Sequence, residues 1–82
     1  MSVRVSDIRR WLHEGKNQNA THMIVVCDDF DLEDFPVYVF QNQNVKDVEK
    51  EQNSNHQRII EVYSYNHDLE EQLKETRAFH YD

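Results

Sequence analysis

Apolar residues recur along this chain with two different periods. Between Ser6 and Gly15, Ile8, Trp11 and Leu12 fall at i, i+3 and i+4, the spacing of an amphipathic helix. Ser6 is placed to cap its free N–H groups and Asp7 to face the positive end of its dipole. Gly15, the only glycine in the chain, is placed to end it in a left-handed C-cap. From Thr21 to Asp28 the period changes. Met23-Ile24-Val25-Val26-Cys27 is a continuous apolar run rich in β-branched residues, which predicts a strand covered on both faces and therefore central in its sheet. Pro36 to Gln41 predicts a second strand, with Pro36 as its first residue, where a missing N–H is tolerated. The segment Asp28–Phe35 between them reads as an acidic hairpin loop carrying Phe30, Leu32 and Phe35.

Asn44 opens a short helix over Val45–Gln52, in which only Val45 and Val48 can face a core. A polar loop, Asn53 to His56, leads to a third strand from Arg58 to Tyr65. A last helix over Asp68–Arg77 starts with Asp68 and Glu71 at capping-box spacing. Its thin stripe of Leu69 and Leu73 is extended by Ala78 and Phe79. The order α-β-β-α-β-α implies an α+β fold in a single domain spanning 1–82. A hairpin followed by a long crossover gives a three-stranded antiparallel sheet of order 2-1-3, with helices mainly on one face.

Alternation along each strand sorts the side chains into two faces. Ile24 and Val26 oppose Met23, Val25 and Cys27; Val37 and Val39 oppose Tyr38 and Phe40; Ile60 and Val62 oppose Ile59 and Tyr63. Both faces are apolar, whereas the helices carry few large apolar residues. One reading is an uncovered patch through Tyr38, Phe40, Ile59 and Tyr63 that forms a homodimer or receives a partner. The other is a closed core, covered by the last helix and the aromatics of the acidic loop.

Composition narrows the functional classes. Nine Lys and Arg against sixteen Asp and Glu leave a net charge of −7. That balance argues against direct nucleic-acid binding, which needs cations to neutralise phosphates, and against an anionic membrane surface. No apolar run approaches the ~18–20 residues of a bilayer span, and no signal-peptide core is expected at the N-terminus. Aromatic content of 11% with one proline favours an ordered chain. A single cysteine makes no internal disulfide and implies no oxidising compartment.

The chemical candidates are few. Asp28, Asp29, Asp31, Glu33 and Asp34 are the densest charge in the chain. A cation site using Asp28, Asp31, Glu33 and Asp34 with a nearby histidine is one reading, although a calcium loop of the EF-hand kind needs a glycine that is missing here. An acidic epitope anchored by Phe30, Leu32 and Phe35 that docks on a basic partner is another. A solvated loop whose aromatics fold back onto the core is the third. Cys27 ends an apolar strand beside Asp28 and Asp29, a setting that disfavours a thiolate; it reads as a buried structural cysteine and not as the partner of His22, His56 or His80. The five histidines show no metal-binding spacing, and one glycine cannot build a phosphate cradle. No catalytic residue and no cofactor are implied, so the chain reads as non-enzymatic. Arg4, Arg9, Arg10 and Lys16 form a basic edge on the first helix that reads as a solvated face, and Glu70 with Lys74 reads as an i,i+4 pair.

The hairpin region carries a resemblance. Ala20-Thr21-His22-Met23-Ile24-Val25-Val26-Cys27-Asp28, then Phe30-Asp31, then Glu33-Asp34-Phe35-Pro36-Val37-Tyr38-Val39 resembles a family of small uncharacterised proteins from bacteriophages and bacterial mobile elements. Gln57-Arg58, Glu61-Val62-Tyr63 and Arg77-Ala78-Phe79 fit the same pattern. Asp29 and Leu32 fall at its variable positions. The resemblance implies no activity. It implies a virus-type protein made in the cytoplasm of a bacterial host cell. The expectation is a non-enzymatic protein that binds a host or phage protein, inhibiting host or defence machinery, through Asp28, Phe30, Asp31, Leu32, Glu33, Asp34 and Phe35. A metal- or small-ligand-binding domain and a DNA mimic are the alternatives.

Overall fold

The computed structural model describes residues 5–54 and 56–82. Helices α1 (Val5–Asn17), α2 (Val45–Gln52) and α3 (Leu69–Leu73) alternate with strands β1 (His22–Asp28), β2 (Glu33–Val39) and β3 (Gln57–Ser64) in the order α-β-β-α-β-α. The sheet is antiparallel throughout, with order β2-β1-β3. β1 holds the centre because it is the most apolar strand, and Met23 through Val26 have no measurable exposure.

Helices cover both faces of this sheet, not mainly one. On the first face α1 and α3 pack Ile8, Leu12, Leu69 and Leu73 against Met23, Val25 and Tyr63. On the second, α2 sets Val45 and Val48 against Ile24, Val26, Val39 and Val62. Asn44 caps α2 as its side chain accepts from the Lys46 and Asp47 amides. The two valines are the only apolar residues of α2, so its sequence alone decides which side faces inward.

Gly15 does not end α1. It lies inside the helix as a buried residue, and the left-handed position falls at Asn19, with φ 65°. Asparagine tolerates that conformation, which leaves glycine for a different duty. A Cβ at Gly15 would stand 2.6 Å from Tyr38 Cε1 and would also meet Tyr65 Oη. The missing side chain lets two tyrosines close on the helix. Ser6 likewise lies within α1 and not before it.

β2 starts at Glu33, three residues earlier than Pro36, and ends at Val39, short of Phe40 and Gln41. Its pairing continues to Cys27↔Asp34 and Asp28↔Glu33, so the connection shrinks to Asp29–Leu32. Pro36 stands in mid-strand opposite Val25. It is tolerated because β2 is an edge strand, where a missing N–H need not break the ladder.

β3 carries a bulge. Val25 pairs with Glu61 and Val26 with Ile59, which leaves Ile60 as an extra residue. Strict alternation therefore fails here. Ile59 joins Val62 on the second face, and Ile60 joins Tyr63 on the first, the reverse of the sequence expectation.

α3 is a single turn capped by Asp68, whose carboxylate accepts from the Glu70 and Glu71 amides. It stops at Leu73 instead of running to Arg77. Beyond it the chain turns extended and docks on β3: Val62 donates to Ala78 at 2.7 Å and His80 donates to Val62 at 3.0 Å. Ala78 is buried through this edge contact, while Phe79 is exposed and adds nothing to a helical stripe. Among the described residues, no helix is long and apolar enough to cross a membrane.

Candidate docking hairpin and adjoining cleft

The β1–β2 connection is closed by Asp28. Its Oδ1 accepts from the Phe30 amide at 2.8 Å and the Asp31 amide at 3.4 Å, and its carbonyl accepts from Leu32 N–H at 2.7 Å. Aspartate at this position offers the backbone an alternative to further strand pairing, which makes the tight turn. Leu32 completes it with φ 58°, a left-handed conformation that costs a leucine about 1–2 kcal/mol. The turn leans on the neighbouring loop: Asp29 donates its N–H to the His56 carbonyl, and Arg58 Nε donates to Asp29 Oδ1 at 2.8 Å. The Phe30 ring meets His56 edge-on, with centroids 6.1 Å apart.

The apolar side chains at the tip do not fold back. Phe30 is 82% exposed and Leu32 58% exposed; Asp29, Asp31 and Glu33 are exposed around them. Phe35 alone points inward, against the second core. The carboxylates also diverge. Asp28 is occupied by backbone amides, Asp29 by Arg58, and one buried oxygen of Asp34 has no hydrogen-bond partner among the described residues. Among those residues no group of three or more His, Cys, Asp or Glu side chains is placed to hold a metal ion.

Cys27 lies opposite Asp34 in the ladder. Burial pushes its thiol pKa up, the Asp34 carboxylate pushes it further, and the Arg58 guanidinium, 3.9 Å from Sγ, offsets this only in part. The thiol is held in its unreactive form.

The four residues expected to form an aromatic interface do not share a surface. Tyr63 is buried beneath α1 and α3, and Tyr38 packs on α1 and donates to the Trp11 carbonyl at 2.8 Å. Ile59 sits on the opposite face because of the bulge. Phe40 lies beyond the end of β2 and is half-buried. Helix α1 covers this face more completely than its few large side chains suggested, because Gly15 lets it sit close. Two cations of the basic edge of α1, Arg9 and Arg10, are paired within the chain. Arg9 makes a two-pronged contact with Glu70 at 3.0 and 2.8 Å, and Arg10 lies near Asp7 and Glu14. Lys74 pairs with Glu71, so Glu70 and Lys74 do not form the expected pair. Arg4 lies outside the described residues.

Beside the hairpin, on the α1 side of the sheet, is a cleft of ≈ 530 Å³. Ile8, Ile60 and Leu73 supply apolar wall; Leu32 and Asp34 connect it to the hairpin; Glu61 and Arg77 bring charge. Sequence reasoning passed over Glu61. The available signal was one carboxylate inside the run Ile59-Ile60-Glu61-Val62-Tyr63, which alternation sets on the same face as Tyr63. Comparison of the chain with protein-family models, curated proteins and solved structures finds no match.

Proposed function

We propose that this chain is a non-enzymatic binding protein whose β1–β2 hairpin docks on another protein. The observation that carries this reading is the tip itself. Phe30 and Leu32 are exposed together, inside a ring of Asp29, Asp31 and Glu33, on a turn pinned by Asp28 and braced by Arg58. Leu32 is exposed and held in a strained conformation, and such strain concentrates at functional positions. The surface that fits is an apolar pocket rimmed with lysine and arginine: the aromatic and leucine would supply buried anchors, and the acidic ring would steer the encounter. The resemblance to bacteriophage and mobile-element proteins supports a partner from a bacterial host or from among a phage's own proteins. A cytoplasmic site of action and an inhibitory outcome belong to the same proposal.

The test is affinity capture from bacterial lysate with wild type, with Phe30→Ser/Leu32→Ser and with Asp31→Asn/Glu33→Gln. A partner held by wild type, lost with the first variant and weakened in a salt-dependent way with the second supports the hairpin. Equal retention by all three, with unchanged melting temperatures, removes it.

A further inference from the structure

We propose that the cleft beneath the β3 bulge binds an organic cation, an ammonium or guanidinium group on an apolar stem, with Glu61 as its counter-charge. Glu61 is only 6% exposed, and carboxylates are almost never that buried unless paired. Its Oε1 accepts from the Tyr63 hydroxyl at 2.8 Å and its Oε2 from the Ala78 amide at 3.3 Å. Both donors are neutral. Among the described residues no Lys, Arg or His forms an ion pair with it. A carboxylate offers about four acceptor positions, so about half of them remain open, and the side chain lines the cleft. Burying a charge without a partner of opposite sign is costly, and here the cost falls on a residue that lines a cleft.

The surroundings select the rest of the ligand. Ile8, Ile60 and Leu73 provide apolar contact for a stem. Glu61 stands opposite Val25, two residues from Tyr63 and on the same face of the sheet, and the bulge adds Ile60 to that face beside it. Arg58 is committed to Asp29. Arg77, which also lines the cleft, makes no ion pair among the described residues. A free amine and a lysine or arginine side chain of a partner protein share the required chemistry. This inference stands apart from the hairpin reading, although Leu32 borders both places.

The experiment is amide chemical-shift mapping on the full, nitrogen-labelled chain. The probes are phenethylamine, capped lysine amide and capped arginine amide; phenethyl alcohol and phenylpropionate are the uncharged and anionic controls. The cationic probes should move the amides of Ile60, Glu61, Val62 and Ala78, and bind at least ~10-fold more tightly than either control. Glu61→Gln keeps one acceptor oxygen, for the Ala78 amide, while its NH2 can donate to the Tyr63 hydroxyl oxygen, so it should abolish that preference without unfolding the chain. Preference for phenethylamine assigns the site to a free amine, and preference for a capped residue assigns it to a partner's side chain. Equal binding of the alcohol, no shifts with any probe, or unchanged binding to Glu61→Gln overturns the proposal. So does binding that appears only in Arg77→Gln, which would make Arg77 the internal counter-charge. Phe30→Ser should leave the shifts intact, so failure of the hairpin reading and failure of this one are separable.

Discussion

The Tyr65 hydroxyl closes over Gly15 and donates to the Leu12 carbonyl at 2.7 Å, across a helix face with no side chain to hold it off. Tyr38 arrives on the same spot and reaches the Trp11 carbonyl. Burial pushes both hydroxyl pKa values up. Strands β2 and β3 are thus both tied to one turn of α1.

Gly15→Ala should therefore destabilise. In an exposed helix the change would add about 1 kcal/mol of stability. Here the methyl group must displace two ring systems, an overpacking cost of about 1–3 kcal/mol. A net loss of about 0–2 kcal/mol is expected in urea denaturation, with the Tyr65–Leu12 bond weakened. A gain in stability would mean that the tyrosines can move aside without cost.

Leu32→Gly should do the opposite. Glycine relieves the left-handed strain and should raise stability by about 0.5–1 kcal/mol, while removing one of the two exposed anchors. Higher stability with weaker partner capture is the expected pair of results. Unchanged capture would show that Leu32 is not an anchor.

Gln72 is the buried polar stitch between α3 and β3. Only 1% exposed, it accepts from Ser64 N–H at 2.9 Å and donates to the Ser64 carbonyl at 2.8 Å. Gln72→Leu preserves volume but leaves the Ser64 N–H unpaired and the Ser64 carbonyl with only the long bond from the His67 amide at 3.4 Å. The expected cost is about 1–3 kcal/mol, read by thermal melting, together with faster exchange of the Ser64 amide.

Alkaline unfolding should be cooperative. Burial, helped by the hydrogen bond to Glu49, pushes the Tyr81 pKa up to about 12 from its ordinary value of 10.0. Tyr63 and Tyr65 are raised further, by burial first. The native state thus holds phenolic protons that the unfolded chain releases. The stability they contribute is complete below pH 10.0 and declines as pH rises through about 12. Tyrosinate absorbance should appear together with loss of the far-ultraviolet helix signal. Tyr81→Phe should move the transition to higher pH. Gradual ionisation before unfolding would contradict the burial.

Much of the fold was legible in the chain. The apolar run Met23–Cys27 named the central strand, Asn44 and Asp68 marked helix starts, and element order with crossover length left β2-β1-β3 as the natural sheet. These features rest on local chemistry: one capping side chain, one period, one run of β-branched residues. The acidic hairpin was legible as a place, but whether Phe30 and Leu32 turn inward or outward was not. That depended on Asp28 closing the turn early and carrying the pairing out to Glu33.

The sequence by itself determined the class, the strand order and the concentration of negative charge in one loop, because each follows from residue type and spacing along the chain. Tertiary structure decided what those residues face. A single extra residue, Ile60, exchanged the sides of Ile59 and Ile60 and brought Ile60 into the wall of the cleft. A single absent side chain, at Gly15, let α1 cover the aromatic face. Neither event has a local signature, because a bulge and a close approach are settled by the partner strand and the packed ring, which lie far away in the chain.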